Sequence, residues 1–408
     1  MTLDLSQTLP HDAHDALLVG RMWQPGVGPL LVAHQAGSLM DLSGLALTMS
    51  QLLELDSPDQ AVRAFLAQST PVASLADVLA GSHQTADLQA GQTSRQHLLA
   101  PCDLQVIKAS GVTFVASLLE RVIEEQARGD ASRSDGIRAA LSGILGDNLA
   151  GIVPGSAEAA RVKQVLIEQG VWSQYLEVGI GPDAEIFTKA PVLSAVGTGA
   201  EIGIRQDSAW NNPEPEVVLA VNRLGQVVGA ALGNDMNLRD FEGRSALLLG
   251  KAKDNNASCA IGPFIRLFDS GFGIADVRKI DLAMRVKGLE GFVMDGASSL
   301  SHISRDPLDI VAQAIGPDHQ YPDGFMLFLG TMFAPTQDRH GPGLGFTHEV
   351  GDVVSVSCAQ LGMLVNRVNH CHRIAPWSYG ITALMHDLAR RSVGSAAFGF
   401  SRDNARLP

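Results

Sequence analysis

Cysteine and positive charge are both scarce in this chain of 408 residues. The four cysteines stand at positions 102, 259, 358 and 371 and include no Cys-x-x-Cys pair, so we expect reduced thiols and no disulfide framework. Lysine and arginine number 30 against 43 aspartates and glutamates, which gives a net charge of -13. This balance argues against nucleic acid or an anionic membrane surface as the main partner. It does not exclude an anionic small molecule, because a bound metal sets the field around itself.

Long apolar runs are also missing. The chain has no stretch of about 18 uninterrupted apolar residues, so we expect no membrane span. The opening segment MTLDLSQTLPHDAHDALLVG has acidic residues and no basic region ahead of its apolar run, so we expect no signal peptide and a cytoplasmic protein. With 46% hydrophobic residues and mixed charges, the composition is that of a soluble globular protein long enough for two or three domains.

Two glycine-rich segments come close to nucleotide-binding motifs without fitting them. Between Gly179 and Ala184 the glycine spacing resembles a dinucleotide fingerprint, but Pro182 and the strand-like EIFTKA that follows leave no helix N-terminus for a pyrophosphate. The segment GRSALLLGKA, from Gly243, has six residues between its glycines and lacks Ser or Thr after Lys251, so it is not a phosphate-binding loop. We therefore predict no nucleotide cofactor.

The pattern of apolar residues divides the chain at about residue 97. Residues 1–97 contain short strand-like runs and a helical stretch at 58–68, which predict a smaller N-terminal α/β domain that ends in a polar linker from residue 82. Residues 98–408 are predicted to form a second, larger domain, which carries a helical block at about 113–170.

The helical block begins with an amphipathic stretch. Apolar residues from Phe114 to Ile123 recur at helical spacing, and the opposite face carries charged residues, namely Glu120, Arg121, Glu124 and Glu125. Further helices are predicted over 134–145, 158–168, 307–314 and 381–391. Beyond Trp172 the rest of the chain consists of short apolar runs separated by Gly, Pro, Asn and Asp. We therefore expect an α+β fold that is rich in β-structure and largely antiparallel.

Two glutamates stand two positions apart in the segment EPEVVLAV. Its valines and leucine predict a β-strand, in which Glu214 and Glu216 lie on the same face. Two carboxylates held that close repel each other and raise their own pKa values, and a bound divalent cation removes the conflict. Oxygen-only ligands suit a hard metal such as Mg²⁺. The pair therefore indicates a metal site.

A predicted hairpin brings a third carboxylate to this pair. The apolar runs VVLAVN and QVVGAAL flank the turn RLG, in which the glycine supplies the turn conformation. Pairing the two strands about Leu224 places Glu214 opposite Asn234, next to Asp235. The alternative is two exposed glutamates at the end of a strand and an unrelated aspartate in a turn.

Several segments in a fixed order resemble the fumarylacetoacetate hydrolase superfamily. They extend from Leu98 to Asp352 and read LLAPCDLQVIKASGVTF, EPEVVL, GNDMNLRDFEG, AKDNNASCAIGP, YPDGFMLFLGTMFAP and GFTHEVGD. Within the superfamily the chain looks closer to the dehydratases of 2-keto-3-deoxy sugar acids. The resemblance implies a mixed β-sandwich roll or barrel with a helical insertion.

The same resemblance implies an active site. It assigns Glu214, Glu216 and Asp235 as ligands of Mg²⁺, with Mn²⁺ as an alternative because both ions accept all-oxygen sites. Lys253 matches the active-site lysine of the superfamily, and Glu185, in EIFTK, matches a glutamate expected to act as acid and base. Taken without the resemblance, these last two residues would be an ordinary solvated lysine and a strand glutamate.

Two further residues are candidates for substrate binding. Thr331, in FLGTMF, matches a position that often contacts a substrate carboxylate, and its alternative is a buried threonine of a strand. Arg239 lies a helical turn beyond Asp235 and could hold Asp235 or the substrate carboxylate. A structural salt bridge is equally compatible with the position of Arg239.

One departure from the superfamily pattern decides the predicted reaction. Carbon–carbon hydrolases of the superfamily carry a histidine of the water-activating machinery where this chain has Ser117, in GVTFVAS. Serine cannot replace imidazole as a base near neutral pH, so elimination, which requires no activated water, fits better than hydrolysis. The resemblance thus implies a hydro-lyase that converts a 2-keto-3-deoxy-pentonate to 2,5-dioxopentanoate in oxidative pentose catabolism.

Two other functions stay open. A hydrolase of an acylpyruvate or another diketo acid is disfavoured by Ser117, and a protein that only binds a metal or a sugar acid would not need Glu185 and Lys253. The expected partner is a small-molecule 2-keto acid. Because the superfamily usually forms dimers or higher assemblies, the resemblance also implies a homodimer or homotetramer.

Overall fold

The computed structural model describes residues 3–83, 94–137 and 152–393, apart from the single positions 129, 135, 169 and 171. Two predicted segments therefore lie partly outside the described residues, namely the polar linker from residue 82 and the amphipathic stretch 134–145. Among the described helices, none combines the length with the apolar character that a membrane crossing requires.

The described strands are short and follow one another throughout the chain. In order they are β1 (Leu18–Gln24), β2 (Gly28–Gln35), β3 (Ser38–Asp41), β4 (Pro71–Ser74), β5 (His97–Leu99), β6 (Val106–Gly111), β7 (Glu185–Ala190), β8 (Glu201–Ile204), β9 (Asn211–Asn212), β10 (Pro215–Val221), β11 (Val227–Asp235), β12 (Asn237–Leu238), β13 (Cys259–Leu267), β14 (Asp281–Lys287), β15 (Val293–Ser299), β16 (Phe325–Phe328), β17 (Val353–Cys358) and β18 (Gly362–His370).

The described helices are concentrated in the first half of the chain. In order they are α1 (Leu5–Thr8), α2 (Met49–Leu53), α3 (Pro58–Leu66), α4 (Leu75–His83), α5 (Val115–Ala127), α6 (Ala157–Glu168), α7 (Gln174–Ile180), α8 (Arg239–Glu242), α9 (Leu249–Lys253), α10 (Ile274–Val277), α11 (Pro307–Ala314) and α12 (Ile381–Val393). The helices predicted at 58–68, 158–168, 307–314 and 381–391 are confirmed as α3, α6, α11 and α12, because their bounds agree within two residues.

Most strands belong to one of two sheets. The larger sheet has the order β4-β3-β2-β1-β13-β11-β10-β16-β6-β7, with β5 paired to β1, and the smaller sheet has the order β15-β14-β17-β18-β8. Parallel pairing occurs between β16 and β6 and between β18 and β8, whereas the hairpin strands pair antiparallel. The α+β fold rich in antiparallel strands is confirmed, but the described strands leave both sheets open, so they do not form a closed barrel.

The larger sheet extends across the predicted domain boundary at residue 97. Strand β1, from the first section of the chain, pairs antiparallel with β13 and with β5. Division of the chain into residues 1–97 and 98–408 stays a prediction.

Strand β10 lies in the middle of the larger sheet and is buried on both faces. Val217, Leu219 and Val221 pack in a core shared with apolar residues of β14 and β17 in the smaller sheet. The alternate residues Val218 and Ala220 pack on the other face, in a core that includes side chains of α2. This two-sided burial explains why the strand is an uninterrupted apolar run. A strand packed in this way is a rigid support for the charged residues at its start.

The helical block has an apolar core of its own. Helices α5, α6 and α7 supply it, and its members include Leu118, Val122, Leu166, Leu176 and Ile180. The first predicted helix is thereby confirmed as α5. Packing on α7 holds α5 beside the larger sheet, where its Arg121 contacts Glu214 at the start of β10.

Strands β10 and β11 form the predicted hairpin, with a register that differs by one residue. Pro215 lies opposite Asn234, because a β-bulge at Ala220–Val221 shifts the pairing. The Asp235 amide donates a hydrogen bond to the Glu214 carbonyl oxygen (3.0 Å), so these two residues face each other directly. The prediction that Glu214 lies opposite Asn234 is wrong by this one residue, and the correction brings the two carboxylates closer.

Leu219→Ala tests the core on which β10 depends. Leu219 is 0% exposed, and we expect its truncation to lower the free energy of unfolding by about 2–5 kcal/mol, because apolar burial is lost and a cavity remains. The matched control is Leu224→Ala in the turn of the same hairpin, where the leucine is 59% exposed and the expected change is within about 0.5 kcal/mol. Urea unfolding of both variants measures the difference, and equal losses would contradict the assigned core.

Candidate metal centre and active site

Three carboxylates meet at the open end of the β10–β11 hairpin. Glu214 immediately precedes β10, Glu216 is the second residue of β10, and Asp235 is the last residue of β11. All three are buried, and each offers an oxygen within 4.8 Å of the oxygens of the other two. The two-residue spacing places both glutamates on one face of the strand, and the hairpin pairing adds the aspartate from its neighbour.

Glu216 is the carboxylate that most needs a cation. Its Oε2 accepts a hydrogen bond from the Gly330 amide (2.6 Å), but Glu216 forms no ion pair with a described residue. Burial, followed by the charges of Asp235 and Glu214, raises the pKa of Glu216 well above its usual range. A cation placed among the three carboxylates would offset both effects.

Glu214, by contrast, has two cationic partners. Arg121 Nη2 and Lys253 Nζ both contact its carboxylate, and Asn237 Nδ2 donates a hydrogen bond to Oε1 (3.1 Å). Burial alone would raise the pKa of Glu214, but Lys253 and Arg121 outweigh burial and lower the pKa to about 2. The carboxylate is therefore ionised and held from two sides.

Two lysines hold Asp235. Lys253, the last residue of α9, places Nζ 3.0 Å from Oδ2, and Lys189 of β7 places Nζ 2.8 Å from Oδ1. Lys189 is 0% exposed, and its ammonium also donates to the carbonyl oxygens of Met236 (3.2 Å) and Lys253. Burial alone would lower the pKa of Lys253, but Asp235 and Glu214 outweigh burial and raise it. Lys253 is therefore a fixed ammonium at the edge of the carboxylate cluster.

A small, partly open cavity borders these groups. Six of the residues predicted for the site line it, namely Glu185, Glu214, Glu216, Asp235, Lys253 and Thr331. Residues that were not predicted for the site also line it, among them Arg121, Glu242 and Phe187. The structure thus brings residues of α5, β7, β10, β11 and α9 to one place.

Glu185, the first residue of β7, lies in this cavity opposite Gly111 of β6. A Cβ on Gly111 would lie 2.0 Å from Glu185 Oε2, so the glycine leaves the space that the carboxyl group occupies. Burial, followed by the negative charge of Glu242, raises the pKa of Glu185 to about 7. A pKa in this range suits a group that accepts and releases protons near neutral pH.

The charged face of α5 is directed toward the site. Arg121 Nη1 lies 2.7 Å from Glu124 Oε2 and 2.7 Å from Glu242 Oε2, while Nη2 contacts Glu214. Glu124 and Glu242 are only 2% and 4% exposed. The sequence reasoning missed Arg121 and Glu242 as site residues. One signal was available, because Ser117 and Arg121 are four positions apart and therefore share one face of the helix.

Arg239 does not line the cavity. Its guanidinium forms an ion pair with Glu124 of α5, and its Cζ lies 4.4 Å from the centre of the Trp210 ring. Arg239 is 2% exposed, which leaves its charge inside this network. The geometry therefore favours the structural salt bridge over a contact with substrate.

Thr331 and Ser117 place two hydroxyl groups at the cavity wall. Thr331 Oγ1 accepts a hydrogen bond from the Phe333 amide (3.1 Å), and Ser117 Oγ donates one to the Phe114 carbonyl oxygen (2.9 Å). Among the described residues that line the cavity there is no histidine. These described residues therefore offer no imidazole to act as a base, and the acidic side chains among them are carboxyl groups.

The charges of the cluster are suited to a divalent cation. Six carboxylates meet there, namely Glu124, Glu185, Glu214, Glu216, Asp235 and Glu242. Four cations face them, namely Arg121, Lys189, Lys253 and Arg239. The carboxyl groups of the cluster thus outnumber its cations. Three carboxylate oxygens within reach of one another are a donor set that Mg²⁺ and Mn²⁺ accept. The residues present therefore fit the group, and their individual roles stay predictions.

Comparison with known proteins confirms the family resemblance. Residues 168–369 match the model of the fumarylacetoacetate hydrolase C-terminal domain. The 2-dehydro-3-deoxy-D-arabinonate dehydratase of Saccharolobus solfataricus is 30% identical over 190 residues, which cover 47% of this chain and 60% of the relative. The probable 2-keto-3-deoxyxylonate dehydratase of Haloferax volcanii is 28% identical over 219 residues, which cover 54% of this chain and 70% of the relative. The match to the first relative thus spans less than two thirds of its length.

Solved structures show the same fold. The apo form of a 2-keto-3-deoxy-D-arabinonate dehydratase superposes with a TM-score of 0.58 at 19% identity, covering 86% of this chain and 99% of that protein. A 2-keto-3-deoxy-D-arabinonate dehydratase complexed with magnesium and 2,5-dioxopentanoate superposes with a TM-score of 0.57 at 20% identity and the same coverage. These likenesses confirm the α+β fold implied by the sequence.

Glu216→Gln tests the metal centre. We expect this variant to bind Mg²⁺ or Mn²⁺ more weakly by at least the roughly 10- to 100-fold that loss of an outer-shell partner costs. Metal should stabilise the wild type by about 2.7 kcal/mol at a concentration 100 times Kd, as thermal unfolding measures, and should stabilise the variant much less. Without metal the variant should be no less stable than the wild type, because a repulsion is relieved.

The matched control is Glu168→Gln, the same substitution at an exposed position on α6, which should leave metal binding unchanged. Wild-type metal affinity in Glu216→Gln would contradict the assignment of this carboxylate.

Proposed function

We propose that this chain, whose residues 168–369 belong to the fumarylacetoacetate hydrolase family, is a divalent-cation-dependent dehydratase of a 2-keto-3-deoxy-pentonate. The named relatives act on arabinonate and xylonate derivatives of this class, and the proposed product is 2,5-dioxopentanoate. The observation that carries the proposal is the composition of the cavity wall. Glu185, Lys253 and the carboxylate trio share it, and no described residue of that wall is a histidine.

A 2-keto acid presents two oxygens in chelating positions, one on the carboxylate and one on the ketone. A divalent cation held by Glu214, Glu216 and Asp235 would act as a Lewis acid that stabilises the negative charge developing on the ketone oxygen when carbon 3 loses a proton. Lys253 adds a fixed positive charge at the same edge of the cavity, and Thr331 supplies a hydroxyl group for the substrate carboxylate.

Glu185 is the proposed base. It lines the cavity, and its raised pKa of about 7 makes its carboxylate a stronger base than an exposed glutamate. It takes a proton from carbon 3, the hydroxyl group leaves carbon 4 as water, and the resulting unsaturated alcohol rearranges to an aldehyde at carbon 5. The sequence of steps is an elimination and needs no activated water.

Lys253 serves this reaction as an ammonium group. A Schiff base between Lys253 and the ketone is the competing mechanism, and it requires the neutral amine as nucleophile. The two carboxylates at Lys253 Nζ raise its pKa and hold it protonated. The contacts of Lys253 therefore support electrostatic stabilisation over covalent catalysis.

A substrate panel tests the proposed function. The protein is incubated with Mg²⁺ and a set of 2-keto-3-deoxy acids and acylpyruvates, with and without EDTA, and the products are identified by NMR. We expect an aldehyde without pyruvate from a 2-keto-3-deoxy-pentonate, loss of turnover with EDTA, and recovery when excess Mg²⁺ is restored. Pyruvate or a second acid would instead establish carbon–carbon hydrolysis, and absence of turnover on the whole panel would leave a binding protein.

The pH dependence of turnover tests the base. Glu185 must be ionised to accept a proton, and its pKa is raised to about 7, so its active fraction grows as the pH rises through that value. A cation in the cavity lowers this pKa, so we expect kcat/KM to rise with pH along a limb whose midpoint is at or below about 7. Glu185→Gln should lower kcat by about 10²- to 10⁴-fold and abolish the limb.

The control for this series is Glu158→Gln, an exposed glutamate on α6, whose pH profile should match that of the wild type. Retention of the rising limb in Glu185→Gln would show that another group is the base.

A further inference from the structure

Dehydration moves two protons, and Glu185 accounts for one of them. The base removes a proton from carbon 3, whereas the hydroxyl group on carbon 4 needs a proton in order to leave as water. A second group that gives up a proton near neutral pH would allow the hydroxyl group to leave without transfer of the proton held by Glu185.

Most other groups on the cavity wall are unsuited to that task. The guanidinium of Arg121 keeps its proton in proteins. Lys253 is fixed as an ammonium by two carboxylates, which raise its pKa. The hydroxyl groups of Ser117 and Thr331 are far too weakly acidic near neutral pH.

Among the described residues of the wall, Glu242 is the remaining carboxyl group outside the trio and Glu185. It is the last residue of α8 and is 4% exposed. Its Oε2 accepts a hydrogen bond from Arg121 Nη1 (2.7 Å), and its Oε1 makes no hydrogen bond to a described residue. One oxygen is therefore fixed in place while the other is available to a ligand in the cavity.

The environment of Glu242 also favours a bound proton. Burial raises its pKa, against the opposing charges of Arg121 and Lys253. Arg121 is not a dedicated partner of Glu242, because its guanidinium also contacts Glu124 and Glu214. A carboxyl group with a raised pKa holds its proton to a higher pH than an exposed glutamate does, which suits it to act as a general acid.

We propose that Glu242 is a second catalytic residue, which hydrogen-bonds the carbon-4 hydroxyl group and gives it a proton as it leaves. The inference rests on the proposed function and names the acid of that reaction. Glu185 begins the cycle ionised and Glu242 begins it protonated.

The elimination then balances. Glu185 takes the carbon-3 proton, and the electron pair of the C–H bond forms the double bond between carbons 2 and 3 with the negative charge on the ketone oxygen. That charge returns to form the double bond between carbons 3 and 4 as the C4–O bond breaks. The departing oxygen keeps the electron pair of the C4–O bond and takes the proton of Glu242, which releases water.

The rearrangement resets both groups. Glu242, now ionised, removes a proton from carbon 5, and the electrons move through carbons 4 and 3 to the ketone oxygen again. Glu185, now protonated, returns a proton to carbon 3. The enol that remains between carbons 4 and 5 becomes the aldehyde when its hydroxyl proton shifts to carbon 4. The pair ends as it began, with no outside acid or base consumed.

Glu242→Gln tests the role. The glutamine keeps the shape of the side chain and an oxygen for Arg121, but it has no acidic proton to give. In D₂O with Mg²⁺ and a 2-keto-3-deoxy-pentonate, NMR follows both the entry of deuterium at carbon 3 and the formation of aldehyde. We expect aldehyde formation to fall by about 10²- to 10⁴-fold while deuterium still enters carbon 3. Glu185→Gln should lose both signals.

A substrate analogue gives an independent measurement. Fluoride at carbon 4 leaves without a proton, so Glu242→Gln should release fluoride from the 4-fluoro analogue at a rate close to that of the wild type, as ¹⁹F NMR measures. Loss of fluoride release equal to the loss of aldehyde formation from the hydroxyl substrate would overturn the proposal, as would a parallel loss of exchange and aldehyde with the hydroxyl substrate, or full retention of aldehyde formation.

Glu124→Gln is the matched control, because Glu124 is the other short-range acidic partner of Arg121 Nη1 and does not line the cavity. Exchange and aldehyde formation should change by the same factor in this variant. If Glu124→Gln instead lost aldehyde formation while deuterium still entered carbon 3, the effect would act through Arg121, which would overturn a direct role of Glu242. If the wild type forms no aldehyde, the proposed function itself fails; wild-type turnover with parallel losses in Glu242→Gln removes only the role of Glu242.

Discussion

Mutual repulsion among buried carboxylates at the end of the β10–β11 hairpin is the constraint around which the rest of this structure is arranged. The cations that balance it come from distant parts of the chain, with Arg121 on α5, Lys189 on β7 and Lys253 on α9. The position of each of these elements is fixed by the ion pairs of its charged side chain as well as by the packing of its apolar side chains. Because loss of one partner would leave a buried charge uncompensated, the cluster behaves as a unit and not as a set of separate pairs.

Like charges stay close together only if the backbone that carries them is rigid. Strand β10 meets this need because apolar cores cover both of its faces and its residues are buried throughout. The bulge at Ala220–Val221 sets the register that puts Glu214 directly opposite Asp235. Gly111 leaves room for the Glu185 carboxyl group, because any side chain at position 111 would occupy that space. The chemistry of the cavity thus depends on backbone features as much as on its charged side chains.

Local patterns in the sequence were enough to predict most long elements and to bring the carboxylate trio together. The spacing of Glu214 and Glu216 and the hairpin are short-range information, and the order of the motifs along the chain supplied the family resemblance. The register was missed by one residue because a bulge inside an apolar run leaves no local signal. Arg121 and Glu242 were missed for a different reason. A charged helix face ordinarily faces water, and here the partners of Arg121, namely Glu214 and Glu242, lie 93 and 121 residues away, which only the tertiary structure reveals.

The sharing of Glu214 between Arg121 and Lys253 has a consequence for how metal binding is measured. A divalent ion at Glu214 must compete with two cations already in contact with that carboxylate. The measured free energy of ion binding is therefore that of an exchange of cations. It is smaller in magnitude than the interaction free energy of the ion with the three carboxylates. Linkage makes the competition reciprocal, so the ion weakens the hold of Arg121 on Glu214 by the same factor by which Arg121 weakens the binding of the ion. Arg121 of α5 and the metal ion thus compete for the carboxylate of Glu214.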